Sequence, residues 1–229
     1  VLGGHSMGGC VALLVAGKRP DLVKGLVLVD PVILPPRLYR WFHLIPFFGA
    51  LGGSGSGMAR QARRRRAQFD SPLEAREKYE GRGAFRTWRD PFLDDYLLDA
   101  LERTDDNPHD SAEQTWELAC KPAWEAATFN AQRNRPWAAL SKVKKKGLPI
   151  MIMQAEQNSV ITARVAARLL RKHPRMTMKL KRGATHFLPM EAPYDVREEL
   201  SAYISRLVEG FSAAEEGPVR RTLSTWERG

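Results

Sequence analysis

The chain has 229 residues, 43% of them hydrophobic and 27% charged, which excludes pervasive disorder and leaves room for one core plus an inserted subdomain. No run approaches the roughly 18 apolar residues that cross a bilayer, and the two cysteines, Cys10 and Cys120, are too few for a disulfide framework and lack metal-ligand spacing. The formal charge of +10 concentrates in Arg63–Arg66 and Lys142–Lys146 without any helix-turn-helix, zinc-ligand or aromatic RNA-binding pattern, so it reads as solvated charge and not as a nucleic-acid surface.

In chain order, Val1-Leu2-Gly3-Gly4-His5-Ser6-Met7-Gly8-Gly9 comes first. The spacing Gly4-x-Ser6-x-Gly8 allows a serine on a sharp turn between a strand and a helix, with small neighbours because the turn is crowded. Cys10 to Ala16 is an apolar helical run, stopped by Gly17-Lys18-Arg19-Pro20. Within that run, Cys10 reads as a small buried thiol. Gly25 to Asp30 reads as a short buried strand. Pro31, Pro35 and Pro36 then turn the chain away.

The texture changes after residue 36. Tyr39 to Phe48 is aromatic and proline-punctuated, as in a partly exposed lid. Gly49 to Gly57 reads as a flexible loop by composition. Ser71-Pro72-Leu73-Glu74 is a helix start, and Pro91–Leu101 and Ala112–Cys120 are amphipathic helix candidates. The tryptophans and phenylalanines of this stretch (Trp41, Phe42, Phe47, Phe48, Trp88, Trp116, Trp124, Trp137) read mostly as its own core, the alternative being the walls of an apolar acyl or alkyl pocket. Regular alternation of elements resumes with a strand over Leu148–Gln154, a helix over Val160–Lys172 and a strand over Met176–Leu180. A loop over Gly183–Leu188 and a helix over Ala192–Val208 follow. Strand, helix, strand, loop, helix is the order that a parallel sheet with crossover helices requires. From Gly210 no periodicity remains.

The serine turn, the apolar helix behind it and the strand after that helix together resemble the α/β-hydrolase family, with Ser6 in the nucleophile position. The resemblance implies a partial α/β-hydrolase sandwich, a mostly parallel sheet with flanking helices and an inserted helical cap. Residues 1–36 and 147–209 then form the core, 37–146 the cap and 210–229 a flexible tail. In that family several strands and helices precede the nucleophile. Here five residues do, so the expectation is a fragment of a longer hydrolase or a truncated gene model, without the early loop that supplies a second oxyanion donor.

A serine hydroxyl needs a base within hydrogen-bond reach, and the base needs an acid to hold its tautomer. Of the five histidines, His5 adjoins the nucleophile and is expected to point elsewhere, His43 and His109 lie in the cap, and His173 ends a helix. His186, in Gly183-Ala184-Thr185-His186-Phe187 with Glu191-Ala192-Pro193 downstream, resembles the family's histidine loop and is the candidate base. The acid is open. In most relatives it follows the strand that here is Ile150–Gln154, where this chain has Ala155-Glu156-Gln157-Asn158, so an amide, Asn158, stands in the usual place. Asp30 ends the strand after the nucleophile helix, an acid position found in haloalkane dehalogenases and pancreatic-type lipases, and is preferred. Glu156 is the alternative acid. The Met7 backbone N–H is the candidate oxyanion donor. The resemblance thus implies a serine hydrolase acting on a small apolar carboxylic ester, thioester or lactone through an acyl-enzyme, with no metal and no cofactor. The alternative is a catalytically inactive fragment or pseudoenzyme. The partners implied are a small-molecule substrate, no nucleic acid and no membrane span, with a cytoplasmic location as the default and the oligomeric state open.

Overall fold

The computed structural model describes residues 1–44, 54–104, 115–131, 134–209 and 222–226. The elements run β1 (Leu2–His5), α1 (Met7–Lys18), β2 (Leu26–Val29), α2 (Pro36–Leu44), α3 (Ser54–Arg63), β3 (Gln68–Phe69), α4 (Pro72–Tyr79), α5 (Phe92–Ala100), β4 (Leu101–Thr104) and β5 (Thr115–Leu118). They continue with α6 (Pro122–Asn130), α7 (Pro136–Lys145), β6 (Ile150–Ala155), α8 (Ala163–Lys172), β7 (Met176–Lys181), α9 (Leu188–Glu191), α10 (Pro193–Glu209) and β8 (Thr222–Trp226). Two compact units divide the chain: Val1–Pro36 with Arg135–Gly229, here the sheet unit, and Arg37–Asn134, here the insert.

The sheet unit is built on a five-stranded sheet in the order β1-β2-β6-β7-β8, with every pairing parallel. Parallel strands covered on both faces are apolar throughout rather than alternating, and β2 (LVLV) and β6 (IMIMQA) are buried at every position. The pleat sends alternate side chains to opposite faces. Leu26, Leu28, Ile150 and Ile152 join Leu13 of α1, Leu140 and Val143 of α7 and Leu169 of α8 on one face. Val27, Val29, Met151 and Met153 join Leu188 of α9 and Ala192 and Tyr203 on the other. The register sets His5, Val29, Met153 and Lys179 level. Ser6, Asp30 and the loop after β7 therefore all leave the sheet at the carboxyl ends of its strands, where open parallel sheets place their ligands.

The boundaries differ from expectation in three places. Helix α7, expected within the cap, belongs to the sheet unit, because its Ala139–Leu140–Val143 face packs on α1. That approach is close: a Cβ on Gly17 of α1 would stand 2.7 Å from the Ala139 Cβ. The expected unstructured tail contains β8, which pairs with β7 from Thr177↔Thr222 to Lys181↔Trp226; residues 210–221 and 227–229 lie outside the described residues. The insert is not wholly helical, since β3, β5 and β4 form an antiparallel sheet of three short strands.

Within the insert, β5 replaces the helix expected over Ala112–Cys120, because Thr115–Leu118 pairs with chain far away in sequence on both sides. Ser54–Gly57, expected to be loop, begins α3, whose Ala59 and Ala62 pack with Ala126 of α6. Ser71 caps α4 by accepting from the Glu74 N–H at 3.1 Å, and α5 fills the predicted Pro91–Leu101 segment. The larger core of the insert gathers Phe69, Ala75, Leu93, Leu97, Leu101 and Leu118, with Tyr79, Phe85, Tyr96 and Trp116 against it. Trp88 meets Phe85 and Tyr96 edge-on. Trp41 and Trp124 are exposed, while Trp137 lies in the sheet unit and donates from Nε1 to the Leu34 carbonyl at 2.9 Å. The Phe42 side chain, Phe47 and Phe48 lie outside the described residues. Among the described residues no helix is long and apolar enough to cross a membrane.

Candidate active site

The strand β1 delivers Ser6 to a backbone conformation that few residues adopt, φ 55° and ψ −119°. Such strain persists only where the surroundings over-determine it. Here the Ser6 N–H donates to the Val29 carbonyl at 2.9 Å, and the Ser6 carbonyl accepts from the Val32 and Cys10 N–H groups at 3.0 and 3.3 Å. The turn is crowded at Gly4, where a Cβ would come within 2.4 Å of the Gly8 carbonyl carbon, and at Gly9, where it would meet the Gly4 oxygen and Pro31 at 2.9 Å. At Gly8 a Cβ would meet open space. The steric demand therefore falls on Gly4 and Gly9, whereas the spacing in the sequence implicated Gly4 and Gly8. Met7 opens α1, so its N–H has no intrahelical carbonyl to bond, and the positive end of the helix dipole lies at Ser6.

His186 leaves the loop after β7 with its ring between two partners. Nε2 stands 2.9 Å from Ser6 Oγ, and Nδ1 stands 2.6 Å from Asp30 Oδ2. With the ring neutral and its proton on Nδ1, it donates to the carboxylate and accepts from the serine hydroxyl. Asp30 is wholly buried, with φ 38°. A buried carboxylate is costly unless hydrogen bonds replace its water. Its Oδ1 accepts from the Ser159 hydroxyl at 2.5 Å and the Ala155 N–H at 3.4 Å, and its Oδ2 accepts from the Val160 N–H at 3.2 Å. The loop after β6 thus supplies donors to a carboxylate held on β2.

The alternative acid and the amide that stands in the usual acid position both sit at the surface. Glu156 is exposed and accepts from the Gly183 N–H at 2.9 Å. Asn158 is exposed and takes φ 51°, a turn position that asparagine tolerates.

Three groups around the His186–Asp30 pair had no role assigned from the sequence. His5 points into the site: its Nε2–H donates to the His186 carbonyl at 2.7 Å, and the two rings are 4.9 Å apart. Burial lowers the His5 pKa and outweighs the raising effect of that hydrogen bond. Glu191, nearly buried, accepts from the Thr185 N–H at 2.6 Å and from the Thr185 hydroxyl. Ser159 is the third. The sequence held a faint signal for the Glu191 contact, a threonine and a glutamate bracketing the histidine; for His5 and Ser159 it held none. All of these groups belong to the sheet unit.

The remaining predicted positions serve elsewhere. His173 caps α8 and is fully buried, and burial, then the nearby positive Lys144 and Arg175, push its pKa down to about 4. Cys10 is buried in α1, where desolvation pushes its thiol up to about 11. Lys142, Lys144, Lys145 and Lys146 are exposed at the end of α7, but Arg65 is not simply solvated. It reaches the Tyr79 and Tyr96 hydroxyls at 3.2 and 2.8 Å inside the insert. The His43 side chain and His109 lie outside the described residues.

Comparison with known proteins extends the geometry. Residues 1–199 match the sequence pattern of the family described as "Alpha/beta hydrolase family". Among similar solved structures, an E-2-(acetamidomethylene)succinate hydrolase is 18% identical with a TM-score of 0.64, over 89% of this chain and 66% of that one. The peroxisomal alpha-beta-hydrolase Lpx1 of Saccharomyces cerevisiae is 17% identical with a TM-score of 0.70, over 94% of this chain and 55% of that one. An esterase of Mycobacterium tuberculosis is 18% identical with a TM-score of 0.55, over 89% and 59%. The chain therefore spans between 55% and 66% of the length of these three structures, and at such identities the likeness is one of fold. No curated protein matches the sequence.

Proposed function

The chain belongs to the alpha/beta hydrolase family, and from that premise we propose that it is a serine hydrolase cleaving a small apolar carboxylic ester, thioester or lactone. One observation carries the reading. Ser6, His186 and Asp30 form an unbroken hydrogen-bonded line, 2.9 Å then 2.6 Å, with the acid wholly buried.

In this mechanism His186 Nε2 takes the Ser6 proton as Oγ attacks the substrate carbonyl. Asp30 stabilises the resulting imidazolium, and its carboxylate accepts hydrogen bonds from the Ser159, Val160 and Ala155 donors. The Met7 N–H, at the positive end of α1, is the oxyanion donor on this chain. His186 then returns the proton to the leaving alcohol or thiol, leaving an acyl group on Ser6. Water, deprotonated by the same nitrogen, releases the acid.

The test is labelling of purified protein with a fluorophosphonate, alongside hydrolysis of p-nitrophenyl butyrate. The expected result is modification of Ser6 that disappears in His186→Ala. A folded sample left unlabelled overturns the proposal in favour of a catalytically inactive product.

A further inference from the structure

The residue before the nucleophile is itself in the site, and nothing in the serine–histidine–aspartate line accounts for it. His5 ends β1, so its backbone is fixed by the β2 ladder at Val29. Its side chain crosses to the loop after β7 and donates to the carbonyl of His186. That carbonyl accepts and cannot donate, so the bond also fixes the His5 tautomer with its proton on Nε2.

We propose that His5 is a positioning residue, a tether between the strand that carries Ser6 and the backbone of the residue that carries the base. The loop holding His186 is then gripped from two sides. Glu191 holds Thr185, one residue before the base, by its N–H and its hydroxyl. His5 holds the carbonyl of the base itself. Because Ser6 and His5 are adjacent, the tether references the imidazole to the strand end that also carries the nucleophile. The ring also covers the base, with centroids 4.9 Å from His186 and 6.4 Å from Phe187. Its charge state supports the role. The ionisable groups that face it are His186 and Asp30, and burial keeps the ring neutral near pH 7. A neutral neighbour does not oppose the imidazolium that forms on His186 during turnover.

The inference rests on the serine-hydrolase reading for its effect on rate, and on geometry alone for its effect on the loop. The test compares His5→Gln, whose amide reaches as far as Nε2, with His5→Asn, whose amide falls short. His5→Phe serves as the variant that keeps a ring without a donor. Hydrogen exchange over residues 184–191 reads the loop, and the rate of Ser6 labelling by a fluorophosphonate reads the alignment. The expected result is faster exchange in His5→Asn and His5→Phe, with labelling slowed by roughly 10- to 100-fold, as misplacements near 1 Å produce. His5→Gln should restore both to near the native values. Unchanged exchange in His5→Asn, or His5→Gln as poor as His5→Asn, overturns the inference. If the native chain is never labelled, the hydrolase reading fails while the exchange comparison still decides the tether.

Discussion

The two units treat polar groups in opposite ways. In the sheet unit, β2 and β6 are apolar on both faces, and Asp30, Ser6 and the His186 loop gather at the carboxyl rim, beyond the last ladder pair. In the insert a charge sits among the aromatic side chains: Arg65 lies over Tyr79, Phe85 and Tyr96, with centroid distances of 5.0, 5.8 and 6.0 Å, and reaches Glu125 at 3.3 Å. Burial works against that charge, yet Tyr96 and Tyr79 hold the guanidinium pKa above its ordinary value. The contrast separates two uses of a buried polar group. At the rim, strands fixed by the sheet aim polar atoms at a common point. In the insert, a forked cation bonds the hydroxyls of two rings that border the apolar core.

The sharpest break of this contrast is at the rim. If Asp30 is the acid of the line, Asp30→Asn keeps the shape and removes the charge that stabilises the imidazolium. In serine proteases the same exchange of the triad aspartate lowers turnover by about 10⁴, and a loss of that order is expected in the Ser6 labelling rate. Asn158→Ala and Glu156→Gln, both at exposed positions, should stay within about threefold, as surface changes do. The reverse ranking would move the acid to the end of β6.

His173 is a buried polar group of the sheet unit that lies off the rim, and it sharpens the rule by its cost. His173 is fully exposed in the unfolded chain, with an ordinary value near 6.5, and is pushed down to about 4 when folded. Between those values the unfolded chain holds the extra proton, so stability falls as pH drops from 6.5 toward 4 and levels off below. The loss amounts to roughly 3 kcal/mol. Urea midpoints across that window should show it, and His173→Leu should flatten the slope. Arg65 has no counterpart of this slope, because it stays charged in both states.

These contrasts also say what was legible. Strands buried on both faces announce themselves as unbroken apolar runs, and a serine turn followed by an apolar helix has few other readings, so β2, β6 and Ser6 were all within reach, while β7 showed only as a weak alternation. The choice between Asp30 and Glu156 was not, since both directly follow strands that are neighbours in the sheet, and the path of the His186 loop is not written in either strand. His5 was misread because a residue beside a tight turn has no periodicity to show where it points. In the insert, β5 is held by β3 and β4, partners outside its own window, and α3 by close packing of Ala59 and Ala62 on Ala126. Glycine and serine at the start of α3 signal loop locally while small residues of the same helix permit that approach. Helix α7 falls within the expected cap because the next recognisable strand starts only after it, yet its fit to Gly17 is a tertiary fact.

The turn itself gives a smaller effect with a clear sign. Gly4→Ala forces a methyl to within 2.4 Å of backbone, which the turn can relieve only by moving Ser6. Overpacking of this kind costs about 2 kcal/mol, and the chemical-denaturation midpoint should fall accordingly, with labelling lost as well. Gly8→Ala meets open space and, at the second position of a helix, should be neutral or slightly stabilising. Equal losses from both substitutions would mean that the motif spacing and not the packing sets the demand.

The smallest effect tests whether the units differ in anything besides where they keep polar groups. Each contains a helix with a hydroxyl cap. Thr162 accepts from the Val165 N–H at 3.3 Å before α8, and Ser71 accepts from the Glu74 N–H at 3.1 Å before α4. Removing such a cap costs about 1 kcal/mol, so Thr162→Ala and Ser71→Ala start from the same expectation. Their surroundings differ. Glu74 also accepts from the Asp70 N–H at 2.9 Å and pairs with Arg66 at 2.7 Å, so the start of α4 retains anchors when the hydroxyl is gone. The start of α8 has the hydroxyl and the packing of Val165, Ala166 and Leu169 against the sheet. Local hydrogen exchange should therefore rise more at residues 163–166 in Thr162→Ala than at residues 72–75 in Ser71→Ala. The opposite order would show that the charged network around α4 depends on the cap, and that the insert is held less by redundancy than by single bonds.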